Sequence, residues 1–145
     1  MKLCLVCSHG GHMTELLELQ SVWAKHDVFY ITYPSKRRIP ARAFTFENLT
    51  EKPLRVIPMF FQVFRILRNE RPDWLISDGA EIAIPVFFAA KLLGLKTMFI
   101  ESFSRVNSAS FTGRVLYPIS DVFLVQWPSL LSEYGPKARY EGAVI

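Results

Sequence analysis

Three stretches of the sequence hold residue types and spacings suited to chemistry on an anionic ligand. The first is Ser8-His9-Gly10-Gly11-His12-Met13-Thr14-Glu15. Two adjacent glycines let the backbone turn tightly and approach a ligand closely. A helix starting straight after them offers free N–H groups and a partial positive charge to phosphate or diphosphate. His12 falls at that helix start, placed to hydrogen-bond an acceptor group or to act as a general base. On this reading Ser8, Gly10, Gly11 and Thr14 are candidate phosphate or acceptor contacts. The spacing is not Gly-x-Gly-x-x-Gly, so a dinucleotide fingerprint is not met. The plainer alternative is a tight turn with Thr14 or Glu15 capping the helix.

The second stretch is Ser77-Asp78-Gly79-Ala80-Glu81. Asp78, with Gly79 beside it, is placed to accept from a sugar hydroxyl, or equally to cap the next helix. Glu81 suits the first turn of that helix on dipole grounds alone. The third runs from Glu101 to Arg114 and sets a carboxylate before a series of hydroxyls and two arginines. The planar guanidinium fork matches phosphate oxygens, which makes Ser102, Arg105, Ser108, Thr112, Gly113 and Arg114 candidate contacts for a sugar phosphate. The alternative is a solvated loop with Thr112 capping the helix that follows.

These motifs need elements to hold them. Lys2 to Cys7 reads as a buried strand that ends in the glycine turn, and His12 to Trp23 as a helix with Met13, Leu16, Leu17 and Leu19 on its apolar side. Val28–Thr32, Trp74–Ser77, Lys96–Ile100, Asp121–Val125 and Arg139–Ile145 are further strands. Residues 33–43 read as a basic loop and 44–50 as a short strand or turn. Helices are expected from Pro53 to about Asn69, with Pro58 in its first turn or kinking it, and from Ile82 to Leu93, closed by Gly94. Shorter ones cover Thr112–Ile119 and Pro128–Tyr134. Near-continuous apolar strands alternating with helices argue an α/β fold, a Rossmann-like parallel sheet with helices on both faces. In such sheets the ligand lies at the carboxyl ends of the strands, and each polar motif falls just after a predicted strand. One domain, residues 1–145, is expected.

Along Pro58 to Arg68, Phe60, Phe61, Phe64 and Leu67 are assigned to one stripe and Arg65 and Arg68 to another. An aromatic face beside a basic one suits an interfacial membrane helix, and also a core-packing helix with a solvated basic face. Trp127, in Val125-Gln126-Trp127-Pro128, is either core or an interface anchor.

Half of the 145 residues are hydrophobic and the net charge is +4, a globular composition. The excess charge clusters at Lys36-Arg37-Arg38 with Arg42 and at Arg55, Arg65, Arg68 and Arg71, favouring anionic partners. No nucleic-acid-binding signature accompanies it, so nucleic acid is not an expected partner. Cys4 and Cys7 sit an odd number of positions apart on one strand and so face opposite ways, against a disulfide or a shared metal site. No stretch approaches the roughly 20 apolar residues that span a bilayer. The sequence therefore reads as cytoplasmic, or peripheral on the cytoplasmic face of a membrane.

Three motifs in register carry a resemblance: Ser-x-Gly-Gly-His-x-Thr-Glu at residues 8–15, Ile100-Glu101-Ser102-Phe103-Ser104-Arg105 with Ser108 and Thr112-Gly113, and Phe123-Leu124-Val125-Gln126-Trp127-Pro128. In this order they resemble the PssD-type bacterial polysaccharide-biosynthesis proteins and the membrane-anchoring subunit of the eukaryotic UDP-N-acetylglucosamine transferase of asparagine-linked glycosylation. The resemblance implies the N-terminal, acceptor-side half of a GT-B glycosyltransferase, like MurG split into two chains. A PssE-like subunit would supply the catalytic donor-binding half. The complex would add the second sugar, N-acetylglucosamine or a hexose such as galactose, from a UDP-sugar to a polyprenyl-diphosphate-linked sugar by an inverting reaction without cofactor or bound metal. His12 is the expected base or phosphate contact, and Glu101 the alternative base. Eukaryotic members carry an N-terminal membrane helix, whereas this sequence starts at its first strand. Docking to the membrane surface is therefore assigned to the Pro58–Arg68 helix, through Phe60, Phe61, Phe64, Arg65 and Arg68. A non-catalytic adaptor that recruits the partner and holds the lipid acceptor is the alternative.

Overall fold

The computed structural model describes residues 1–144. Seven strands form one sheet: β1 (Lys2–Val6), β2 (Asp27–Thr32), β3 (Arg42–Thr45), β4 (Trp74–Ser77), β5 (Lys96–Ile100), β6 (Val122–Val125) and β7 (Ala138–Tyr140). Their spatial order is β3-β2-β1-β4-β5-β6-β7, and every neighbouring pair is parallel. The Rossmann-like α/β fold is thus the one the alternation of apolar runs predicts. The order reverses between β1 and β4, and the loops leaving these two strands diverge to open a crevice there.

The helices are α1 (Gly11–Glu18), α2 (Gln20–Trp23), α3 (Val56–Glu70), α4 (Ala83–Leu92), α5 (Phe111–Leu116) and α6 (Leu130–Tyr134). Alternate strand residues feed opposite faces of the sheet. Cys4, Val6, Phe29 and Ile31 pack with α3 to α6, while Leu3, Leu5, Cys7 and Tyr30 pack with Met13, Leu16 and Trp23 of α1 and α2. Cys4 and Cys7 accordingly lie on opposite faces as buried free thiols, and burial raises both well above the usual thiol range.

Several elements differ from the sequence reading for physical reasons. The helix expected over His12–Trp23 breaks at Leu19, where the Trp23 indole N–H bonds the Leu16 carbonyl at 3.1 Å. The short strand expected within 44–50 is Arg42–Thr45, starting two residues inside the predicted loop because it pairs with Phe29–Thr32. Pro53–Arg55 is a single 3-10 turn, and α3 starts at Val56. Pro58 then falls in the first turn of α3, where a missing N–H costs nothing. Gly94, at φ +71, closes α4 as expected. The last strand is Ala138–Tyr140, short of the predicted Arg139–Ile145, and Ile145 lies outside the described residues.

The face assignment of α3 also needs correction. Met59, Val63 and Leu67 form its buried side. Phe60 and Phe64 are half-buried against the core, whereas Phe61, 100° further round the helix, is 66% exposed. The four apolar residues therefore do not share one stripe; Arg65 and Arg68 are exposed as predicted.

Candidate active site at the switch point

His12, in the first turn of α1, and Asp78, in the loop after β4, meet across the reversal in strand order. The His12 Nδ1 lies 3.1 Å from the Asp78 main-chain oxygen and 3.3 Å from its Oδ2. Both neighbours are acceptors, so Nδ1 must carry hydrogen. In the neutral ring this leaves Nε2 as the unprotonated nitrogen. Asp78 is 1% exposed, and neither carboxylate oxygen meets hydrogen-bond geometry with any group. The 3.3 Å approach of His12 is thus a charge contact more than an aligned hydrogen bond.

Burial pushes the Asp78 carboxyl up to about 6, against the opposing pull of His12. Burial drags the His12 imidazole down, but the Asp78 carboxylate and carbonyl, aided by the Glu15 charge, more than offset this and raise it. Gly79 is required here: at φ +128, an added Cβ would stand 2.9 Å from His12 Cε1.

The His12 ring opens onto a cavity of ≈ 310 Å³ whose walls include Gly79, Glu81, Glu101, Ser102, Arg105 and Thr112. Six of the predicted site residues, His12, Gly79, Glu101, Ser102, Arg105 and Thr112, therefore share one wall, and Asp78 lies behind it. Arg105 has no ion-pair partner among the described residues. Glu81 accepts from the Tyr33 hydroxyl at 2.9 Å and Thr50 Oγ1 at 2.7 Å. Burial opposes its ionisation, yet those bonds hold the carboxyl below its usual range.

Glu101, 1% exposed, is engaged on both oxygens. Oε1 accepts from the Ser102 N–H at 3.0 Å; Oε2 accepts from the Ser110 N–H at 3.0 Å, the Ser110 hydroxyl at 2.9 Å and the Tyr134 hydroxyl. Burial, and then this carboxylate, raise the Tyr134 phenol. Gly113 leaves the space for the pair, since a Cβ there would meet Glu101 Oε2 and the Tyr134 hydroxyl. Ser110 also caps α5 by accepting from the Gly113 N–H at 2.9 Å.

Other predicted residues lie away from this wall. Ser8 donates to the His9 carbonyl at 3.2 Å. Gly10, at φ +87, and Gly11 form the exposed turn into α1. Thr14 donates to the Gly10 carbonyl at 3.1 Å and accepts from Arg37 at 2.7 Å, bringing the basic loop beside that turn. Ser108 is exposed on the loop apex, and Arg114 is paired with Glu133 at 3.3 Å. The expected caps are not made: α1 starts from Gly10 with no side-chain cap, Asp78 is remote from the α4 N-cap Ile82, and Ser110 takes the place expected of Thr112.

Sequence reasoning missed the partners that fix the site, Glu15, Ser110, Gln126 and Tyr134. Only Glu15 carried a usable signal, lying three positions after His12 and so on the same side of a helix.

A separate apolar groove of ≈ 600 Å³ runs between α3 and α4, lined by Ile57, Phe60, Phe61, Ile84, Phe88 and Leu92 among others. Phe88 is 43% and Leu92 72% exposed. Helix α4 had no part in the sequence reading of this surface. No helix among the described residues is long and apolar enough to cross a membrane.

Solved structures define the class. Acinetobacter baumannii MurG superposes with a TM-score of 0.79 at 18% identity, over 96% of this chain and 45% of MurG. The UDP-GlcNAc 2-epimerase of Neisseria meningitidis gives 0.75 at 14% identity, over 99% of this chain and 47% of the epimerase. The fold is that of one half of a MurG-like, GT-B-type protein. Residues 46–144 match the family model described as "Oligosaccharide biosynthesis protein Alg14 like", and the chain belongs to that family. The UDP-N-acetylglucosamine transferase subunit ALG14 of Candida albicans is 36% identical over 122 residues, covering 80% of this chain and 52% of that protein. The human subunit of the same name is 33% identical over 88 residues, 57% of this chain. The matches span 40% of the human and 62% of the rat relative.

Proposed function

We propose that this chain is the acceptor-side half of a two-component glycosyltransferase, with His12 as the base. The observation that carries the reading is the contact of His12 Nδ1 with Asp78 at the switch point, on the wall of a cavity that Arg105 also lines. In an inverting transfer the acceptor hydroxyl oxygen attacks the anomeric carbon and gives its proton to His12 Nε2. The bond from that carbon to the leaving diphosphate breaks with its electron pair on the diphosphate. Arg105, the Gly10-Gly11 turn and the neighbouring Arg37 are the cationic and N–H donors available for phosphate oxygens, the acceptor's among them. With its lone pairs engaged, Glu101 serves to hold the loop that bears Arg105 and leaves the base role to His12. A PssE-like partner would bring the UDP-sugar. The relatives' shared name favours UDP-N-acetylglucosamine as donor, and a polyprenyl-diphosphate-linked sugar is the proposed acceptor.

The α3–α4 groove, with Arg65 and Arg68 beside it, is the proposed membrane-facing surface, at the cytoplasmic face and peripheral. Phe88→Ser is expected to weaken sedimentation with anionic vesicles several-fold; unchanged binding sinks the assignment.

The test of the reaction is transfer by the chain reconstituted with its partner. His12→Ala is expected to lower kcat by roughly 10²-fold or more, with little change in acceptor KM. Near-normal turnover removes His12 from the mechanism. Full-rate transfer to a soluble acceptor by the partner alone would make this chain an adaptor.

A further inference from the structure

A second buried carboxylate stands behind the cleft without a cationic partner. Glu15, on α1, is 7% exposed. It accepts from Ser102 Oγ at 2.7 Å, from the Phe103 N–H at 3.1 Å and from Gln126 Nε2 at 2.9 Å. That same Gln126 nitrogen also donates to the Glu101 carbonyl at 3.0 Å. Three separate segments, the helix bearing His12, the loop bearing Arg105 and the end of β6, thus converge on one anion. A buried charge is costly unless hydrogen bonds replace its water. Donors face both of its oxygens, so a carboxylate fits where an amide would set its NH₂ against the Gln126 NH₂ or the Phe103 N–H. The same charge lies one helical turn from His12.

We propose that Glu15 is a positioning residue of the cleft, whose buried negative charge both ties the Arg105 loop to α1 and stabilises the protonated form of His12. The second half of this rests on His12 working as a base; the first does not. His12 faces Asp78 and Glu81 from the loop after β4, and Glu101 and Arg105 from the loop after β5. On its own helix are Glu15 and, through Thr14, Arg37. Of these, Asp78 and Glu15 are the anions that favour its charged form. Glu15 does so from one helical turn away without touching the cavity, and it also opposes the ionisation of Asp78. The direct effect holds a proton taken up by His12 more firmly, and the effect through Asp78 offsets part of it, because a neutral Asp78 supports imidazolium less.

The test uses two readouts that need no transferase activity. In the full chain, Glu15→Gln is expected to move the NMR titration midpoint of His12 downward and to speed hydrogen exchange at the Phe103 amide by tenfold or more. Ser102→Ala keeps the charge and removes one donor; it should speed Phe103 exchange without lowering the His12 midpoint. Should Glu15→Gln fail to fold, Ser102→Ala still decides, because a lowered His12 midpoint in that variant overturns the charge role. Faster Phe103 exchange with an unmoved His12 curve in Glu15→Gln reduces Glu15 to a loop anchor and overturns the proposal. In the reconstituted pair, Glu15→Gln should shift the acidic limb of the kcat profile the same way. A pair with no transferase activity would defeat the proposed reaction while leaving the NMR result to judge Glu15.

Discussion

Asp78 and Glu101 are two carboxylates at the same sheet edge, each 1% exposed and each following a strand by one residue. Their surroundings are opposite. Glu101 receives four hydrogen bonds from Ser102, Ser110 and Tyr134. Asp78 receives no aligned bond and has only His12 close by. Equal burial therefore hides different work. A satisfied buried anion is a fixed point of the structure, whereas an unsatisfied one is a stored cost that a proton or a charged neighbour relieves.

Three substitutions separate the two roles, and a fourth far from the cleft sets the scale. Asp78→Asn is expected to have the largest effect on turnover, a loss of roughly 10²- to 10⁴-fold in kcat, because the amide no longer stabilises a protonated His12. It should nevertheless melt no lower than the parent at pH 8. The sign follows from the carboxyl being raised to about 6. The folded state holds the proton more tightly than the unfolded chain, so stability falls as pH climbs from about 4 through 6 and stays reduced above. The reduction is on the order of 3 kcal/mol. Asp78→Asn should flatten that decline; a steep loss of stability at pH 8 instead would erase the contrast between the two carboxylates.

Glu101→Gln should reverse the pattern. Placing an NH₂ among donors leaves buried groups unpaired, at about 2 kcal/mol, seen as a fall in Tm of several degrees. An unchanged melting curve would show that Glu101 is no anchor. Gly79→Ala comes next, with a loss of roughly tenfold in kcat and about 1 kcal/mol of strain, since the added methyl displaces the His12 ring. Unaltered kcat would mean that the position of the ring is not what matters. The smallest effect belongs to a pair far from the cleft. Arg42 and then Lys2 hold the Glu70 carboxyl down at about 2. The stability it contributes is present above its usual range and lost as pH falls toward 2, so Arg42→Ala should lower the melting temperature slightly at neutral pH and leave it unchanged near pH 2.

The frame was legible in the sequence because it is written locally. Runs such as Leu3 to Cys7 carry their own burial pattern, Gly94 its own backbone conformation, and Gly10-Gly11 its own turn. Strand β3 was read two residues late, as a short strand or turn over 44–50, because Arg42–Thr45 has two exposed positions at its start and is held by pairing with β2. The partners within the site were less legible still. Gln126 meets Glu15 from 111 positions away and Tyr134 meets Glu101 from 33, and hydrogen bonds over such separations leave no periodicity to read. His12 and Asp78 were each singled out, but their meeting depends on β1 pairing with β4, which neither motif encodes.

That pairing also bears on how the protein is made. Strand β1 is synthesised before the other strands of its sheet, yet one of its two neighbours is β4, at residues 74–77. A nascent chain must therefore hold an apolar strand with one open edge until some seventy further residues have been added. Non-local parallel pairing of this kind is slow and leaves backbone groups open to wrong partners meanwhile. The crevice that brings His12 to Asp78 can form only after that wait, so the order of translation makes this contact a late product of folding.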